Sequence, residues 1–374
     1  MHAWSSKAEL LRLMGASEVQ SNFLTGGSER NETMTNDTGC GVQPTKIAST
    51  LRKRNGRVFG TAVVAAVLLL CSACSSGSSS PSAENPQNSH APSSAAATKQ
   101  KAFGAALTKS PVLPGGGRQV FPDRRFVALY GHPGTPSLGA LGEQDIPASI
   151  ARVKDLAAQY QPYSAEPVVP AFEIIATVAA AEPGPDGNYS NESRVDVLQL
   201  WIDAAANAGI YVVLDLQPGR SDFTTQAEMY RALLRRPNVR LALDPELRLG
   251  PAQLPLAQIG SVTAAEVNTA GAWLAELTKS ANLPQKIFML HQFRRSMVTE
   301  REQLTNFPGL AAVVHADGQG VRGDKMATWT ALQVGLPTFV RVGWKNFLDE
   351  DPQLLTPAET MQQVQPQPWF VSYQ

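Results

Sequence analysis

The 374-residue chain contains three cysteines, Cys40, Cys71 and Cys74, and none in the 300 residues that follow. That absence excludes a disulfide framework, a thiolate zinc site and a cysteine nucleophile from the body of the protein. An excess of either charge is also lacking, since 32 Lys+Arg stand against 32 Asp+Glu. Nucleic-acid binding needs a basic footprint, so no nucleic-acid partner is expected. Histidine is scarce, with five in all. The apolar run from about Val58 to Leu70 covers about thirteen residues, too short to span a bilayer comfortably. At 43% hydrophobic residues and 17% charged ones, the chain is still apolar enough to bury a large core.

The short apolar run has the surroundings of an export signal. Arg52, Lys53, Arg54 and Arg57 precede it; Cys71, Ser72, Ala73 and Cys74 follow, and then a serine-rich stretch. Small residues directly before a cysteine resemble the lipobox of bacterial lipoproteins. The resemblance implies that Cys74 is lipidated and becomes the new N-terminus, anchoring the protein at the extracytoplasmic face of the cell membrane. Cys71 departs from that family, which usually carries Leu there. An ordinary signal peptide cut nearby, or a short membrane anchor, is the alternative. More than fifty residues precede this signal, whereas a signal normally starts close to the initiator. A translation start at Met34 or later is therefore expected, and residues 1–45 are set aside as a leader. Residues 46–74 are then the signal. Residues 75–118 are rich in Ser, Pro, Ala and Asn and contain PGGG at Pro114–Gly117. Such composition buries too little apolar surface to offset ordering entropy, so a flexible tether is expected, with His90 inert within it.

From residue 119 to residue 374, short β-branched runs alternate with helical stretches, the rhythm of βα units around a parallel sheet. The runs are Phe126–His132, Val168–Ile175, Ile210–Gln217, Val239–Glu246, Lys286–Phe293, Leu310–Asp317, Thr338–Lys345 and Pro368–Tyr373. Eight runs over about 250 residues match an α/β fold of the (β/α)8 TIM-barrel type. Thr263–Glu266 (TAAE) and Thr356–Glu359 (TPAE) read as capping boxes, the second with Pro at the first helical position. Gly209 is placed to end the helix before the third strand. Trp201, Trp273 and Trp329 fall inside helices and are expected to pack against the barrel wall.

Strand parity locates the chemistry. In the third strand Val212, Leu214 and Leu216 share one face, and Tyr211, Val213, Asp215 and Gln217 the other. In the fourth, Val239, Leu241 and Leu243 oppose Arg240, Ala242, Asp244 and Glu246. The aliphatic face must meet the helices, so the polar face points into the barrel. Its acids fall at the C-terminal strand ends, where this fold keeps its active sites. The same reading collects His132, Glu173, Asp215, Gln217, Asp244, Glu246, His291 or Gln292, His315, Asp317, Arg341, Lys345 and Tyr373 at one mouth. Trp344 and Tyr373, near the ends of the last two strands, are candidates to stack on a sugar or to close the barrel top. Long Pro/Gly-rich loops after the second, fourth and sixth strands lie on the mouth side, where insertions build substrate sites. Gly318 and Gly320 lack the strand–turn–helix context of a nucleotide fingerprint, and no cofactor is expected.

Asp244 and Glu246 stand two apart in LALDPEL. Such a pair can push its pKa values apart, leaving one carboxylate ionised and the other protonated as a general acid. Asp-x-Glu at the end of the fourth strand resembles the signature of the chitinase-like and lysozyme-like barrel glycosidases. The resemblance covers one strand end and the βα rhythm. It implies that Glu246 protonates the glycosidic oxygen, while Asp244 orients it and assists the substrate's N-acetyl group. Arg240 and Ala242 stand where the chitinase-like families carry further aspartates, and YGHPG ends the first strand where a muramidase usually offers an aspartate. In a two-carboxylate mechanism the second carboxylate is Asp317, Asp215 or Glu173.

The leading expectation is a lipid-anchored monomer that hydrolyses cell-envelope polysaccharide, with Glu246, Asp244 and Asp317 catalytic. His132, Glu173, Asp215, Gln217, His291, His315, Trp344 and Tyr373 would bind substrate. A metal-dependent hydrolase using His132, His291 and His315 with Asp317 or Glu173 is an alternative that loosely resembles the amidohydrolase barrels, without their His-x-His. A non-catalytic barrel that holds envelope glycan or a partner is another.

Overall fold

A computed structural model describes residues 110–255 and 257–374. The leader, the signal with Cys74 and the tether up to residue 109 lie outside the described residues. Eight parallel strands form the barrel: β1 (Arg125–Gly131), β2 (Val168–Ala179), β3 (Tyr211–Leu216), β4 (Val239–Leu243), β5 (Lys286–Gln292), β6 (Leu310–Ala316), β7 (Arg341–Asn346) and β8 (Phe370–Tyr373), and a short ninth strand, Ser190–Glu192, pairs antiparallel with the end of β2. Each of the eight pairs in parallel with the next, and β8 returns to β1 with Phe126 beside Phe370, so the barrel closes. All eight expected strands are present, with ends moved by a few residues.

The crossovers carry α1 (Ile146–Tyr160), α2 (Val195–Ala208), α3 (Phe223–Met229) with α4 (Arg231–Leu234), α5 (Ala264–Ser280), α6 (Arg322–Gln333) and α7 (Pro357–Gln363). The crossover from β5 to β6 has no α-helix, only 3-10 turns at Arg295–Met297 and Arg301–Gln303 around a short strand. That strand, Val298–Thr299, pairs with Val262–Thr263 ahead of α5. Among the described residues no helix is long and apolar enough to cross a membrane.

Local chemistry explains the helix ends. Thr356 and Glu359 form the full reciprocal capping box, with Pro357 opening α7. At α5, Thr263 accepts from the Glu266 amide, while the Glu266 carboxylate pairs with Arg248 at 2.8 Å. Gly209, at φ 73°, ends α2 in the left-handed region that glycine occupies without strain. Trp201 packs edge-on against Phe172, and Trp329 is buried beside Trp344.

The core has two parts. Val127, Leu129, Phe172, Ile174, Val212, Leu214, Leu241 and Leu243 face the helices. Phe126, Ala128, Ala171, Tyr211, Val213, Ala242, Ile287, Met289, Val313 and Phe370 fill the barrel. This inner cluster also contains Leu113 and Val120, which precede β1 and close the barrel's N-terminal end. Residues 110–118 are therefore packed structure and not tether. Leu113 is 2% exposed, and Arg118 donates to the carbonyls of Pro111, Asn282 and Leu283. A Pro/Gly-rich composition suggested a linker here, but one anchoring leucine and one arginine suffice to fix the segment.

Candidate active site

Inward positions toward the C-terminal ends of seven strands build a polar and charged layer in the barrel. Parity sends Tyr130, Glu173, Asp215, His291, His315, Lys345 and Ser372 inward, directly above the apolar filling. All seven are fully buried. Gly343, inward on β7, leaves room for the His315 ring; a Cβ there would lie 2.3 Å from His315 Nδ1.

Asp244 and Glu246 enter differently from the expectation. β4 ends at Leu243, Asp244 follows it, and Glu246 sits on a 3-10 turn at Pro245–Leu247. Pro245 has no N–H to continue a ladder, so the strand stops. The turn still aims Glu246 into the mouth. One carboxylate oxygen from each of Asp244, Glu246 and Asp317 lies within 4.8 Å of the others. Among the described residues this is the group whose spacing suits one divalent cation, and it includes no histidine.

His291 lies beneath this trio. Its Nδ1 is 3.1 Å from Asp317 Oδ2, its Nε2 is 2.9 Å from Glu173 Oε1, and Asp215 Oδ1 lies at 3.9 Å. Burial opposes the imidazolium, yet Asp215, Glu173 and Asp317 outweigh it and lift the ring's pKa to about 10. A ring held protonated between two carboxylates cannot ligate a metal. Glu173 is held below the usual carboxylate range, because the His291 charge and hydrogen bond outweigh its burial. His315 is the opposite case: burial, with the His291 and Lys345 charges, depresses it to about 3. Neutral at physiological pH, it shares a 2.7 Å hydrogen bond with Ser372 Oγ.

Lys345 supplies the second cation. Its Nζ is 3.2 Å from Asp317 Oδ1 and 3.3 Å from the centre of the Tyr130 ring. Asp317 is thus held by His291 on one oxygen and Lys345 on the other. The Tyr130 hydroxyl donates to Asp215 Oδ2 at 2.9 Å. Burial, reinforced by the Asp244 and Glu173 charges, lifts the Asp215 carboxyl to about 6 despite His291 and Lys345.

Other expected site residues fall elsewhere. His132 is half-buried on the rim, with Nε2 3.1 Å from Ser193 Oγ and Nδ1 accepting from the Gly134 amide. A metal centre of His132, His291 and His315 therefore does not assemble. Gln217 accepts from the Ala179 amide and reaches Tyr130, so it ties β2 to the charged layer. Trp344 and Tyr373 do not line the mouth. Trp344 stacks edge-on with Trp329, and Tyr373 shares a 2.7 Å hydrogen bond with Tyr160 in the helix layer. Parity already excludes both, because Gly343, Lys345 and Ser372 occupy the inward positions. The same count on β1 finds Tyr130, a site residue the motif search passed over, and on β8 it finds Ser372.

The loop after β4 packs directly on this site. The Gly260 amide donates to the Glu246 carbonyl at 2.6 Å, and a Cβ on Gly260 would meet the carbonyls of Arg248, Glu246 and Pro245 within 2.7 Å. Asp244 and Asp317 are 0% exposed and Glu246 is 2% exposed.

No known protein-family description matches the chain, and no curated protein does. Among solved structures, the chain is similar to cellobiohydrolase II (Cel6A) from Humicola insolens in complex with glucose and cellotetraose. That similarity has a TM-score of 0.23 at 10% identity and covers 52% of this chain. The chain spans 57% of the length of that structure.

Proposed function

We propose that the barrel is a glycoside-hydrolase-like domain that cleaves cell-envelope polysaccharide, held at the extracytoplasmic membrane face through lipidated Cys74. The observation that carries the reading is the convergence of Asp244, Glu246 and Asp317, from two separate strand ends, within 4.8 Å. Glycosidic cleavage needs one carboxyl to give a proton to the leaving oxygen and another to stay ionised near the anomeric carbon. His291 and Lys345, 3.1 and 3.2 Å from the two Asp317 oxygens, favour Asp317 as the ionised member. Glu246, on the 3-10 turn that follows β4, is assigned the proton donor, and Asp244 orients it. The close approach supports retention, since retaining pairs stand about 5–5.5 Å apart and inverting pairs about 6.5–9.5 Å.

The test is to incubate the full chain with fractionated envelope glycans and measure released reducing ends. Glu246→Gln is expected to lower turnover by about 10²–10⁴-fold, the usual weight of general acid catalysis. Unchanged turnover by the folded variant removes Glu246 as the acid. Elemental analysis of the active preparation separates this reading from a metal-dependent one, which requires an ion bound at the carboxylate trio.

One observation favours a second reading, a non-catalytic barrel that holds a glycan or a partner. The three carboxylates are buried, so a polymer reaches them only if the mouth rearranges. Glycan binding without turnover in both wild type and Glu246→Gln is the signature of that case.

A further inference from the structure

The floor of the barrel carries the opposite charge from its mouth, and nothing in the proposed reaction uses it. Arg240 points inward near the start of β4, Lys286 opens β5, and Arg124 immediately precedes β1. Arg240 and Lys286 are 0% exposed and Arg124 is 7% exposed. The three are joined through shared groups. Arg124 Nη1 donates to the Tyr211 hydroxyl at 3.0 Å, and the Arg240 guanidinium lies 4.8 Å from the centre of the same ring. Arg240 Nη1 and Lys286 Nζ both donate to the Val239 carbonyl, at 3.0 and 2.6 Å.

Their remaining acceptors are the carbonyls of Pro114, Gly116, Arg236 and Pro237. Carbonyl dipoles satisfy hydrogen bonds but do not cancel charge. The charged groups acting on Arg240 are Tyr211 and Arg124, and Lys286 feels Arg240; among the described residues no carboxylate contributes. Arg240 Nε and Nη2 and Arg124 Nε, all buried, have no partner at good hydrogen-bond geometry, and among the described residues the one uncharged polar side chain that acts on Arg240 is the Tyr211 hydroxyl. A buried cation without a counter-charge is strongly disfavoured.

We propose that the barrel floor binds a small monovalent anion, of chloride's size, between the guanidiniums of Arg124 and Arg240. Two internal remedies fall short. Tyr211 could serve as a phenolate, but burial pushes its hydroxyl up and keeps it neutral. Burial and Arg240 hold Lys286 well below its ordinary value, but that relieves neither Arg240 nor Arg124 of its charge. Arg240, lowered by burial only to about 10, stays charged at neutral pH beside Arg124. Leu113 and Val120 are buried beneath the floor, which is why the ion proposed is a small one. The proposal is independent of the reading of the mouth.

The experiment uses the full chain, freed of halide and titrated with chloride against gluconate at constant ionic strength. The thermal midpoint of the wild type is expected to rise by several degrees and saturate, as it must when an ion binds only the folded state. Arg240→Met is expected to lose that rise. Crystals soaked in bromide keep the test decisive if the variant does not fold. An anomalous peak within hydrogen-bond reach of Arg240 Nη2 supports the site. Bromide absent from the floor overturns it, as does a saturating chloride response that persists in folded Arg240→Met.

Discussion

Gly343 has no side chain because the His315 ring occupies the position a Cβ would take. Its backbone is ordinary β conformation within β7, so the requirement for glycine is spatial and not conformational. Gly343→Ala is expected to cost about 1–3 kcal/mol, the range for overpacking a filled interior, read as a fall in the denaturant midpoint. A neutral substitution would mean that His315 can retreat. His291 gives a pH-dependent consequence. Its folded pKa of about 10 lies above the unfolded value of about 6.5. Its contribution is therefore complete below about pH 6.5 and lost as pH rises through 10. Thermal stability should fall between pH 7 and pH 10 in the wild type, and His291→Gln should flatten that slope. His315 acts in the other direction. Its depressed pKa contributes stability above about pH 6.5 that is lost as pH falls toward 3. At this scale the sequence was informative wherever parity was counted consistently. Glu173, Asp215, His315 and Asp317 follow from it, and so does the choice between His291 and Gln292 once the count is carried along the strand, whereas Tyr373 is collected at the mouth by a count that does not alternate and, like Trp344, faces the helices. The ion pairs themselves were not legible, because each joins side chains from different strands whose rotamers no single segment determines.

The segment from Asp244 to Ser261 is the element on which the site depends. Pro245 ends β4 and starts the turn that carries Glu246, and Gly260 returns the chain onto that turn. Gly260→Ala pushes a methyl group against three carbonyl oxygens. It is expected to displace the loop and to reduce glycan turnover at least tenfold, while circular dichroism and the unfolding midpoint of the barrel change little. Equal loss of fold and turnover would show that the loop is structural only. Regular elements were legible here because their signals are local: β-branched runs for strands, Thr-x-x-Glu for helix starts, Gly209 for a helix end. The crossover from β5 to β6 was the exception. Alternation alone implies a helix there, but Val298–Thr299 pairs with Val262–Thr263 instead, a contact between segments 36 residues apart in register. Non-local pairing overrode the local rhythm.

Taken as a whole, the barrel is electrically polar along its axis, with carboxylates above the apolar filling and arginines below it. The formal net charge of zero conceals this separation. The boundary of the folded unit also moves, since Leu113 belongs to the core and not to a linker. Leu113→Ala is expected to destabilise the protein by about 2–5 kcal/mol, as for other buried leucines, measured by chemical denaturation. A cost near zero would return residues 110–118 to the tether. Composition misled here because Pro114–Gly117 reads as flexible chain, whereas its carbonyls serve as acceptors for Arg124.

This plug also determines how the molecule bears mechanical load. Tension applied to the chain ahead of residue 110 enters the folded unit through residues 110–118. It reaches the Arg118 contacts with Pro111, Asn282 and Leu283 and the seat of Leu113 before it reaches any strand. The plug then acts as a mechanical fuse: extension should begin with its withdrawal from the floor, leaving the closed sheet and its charged mouth intact until higher force.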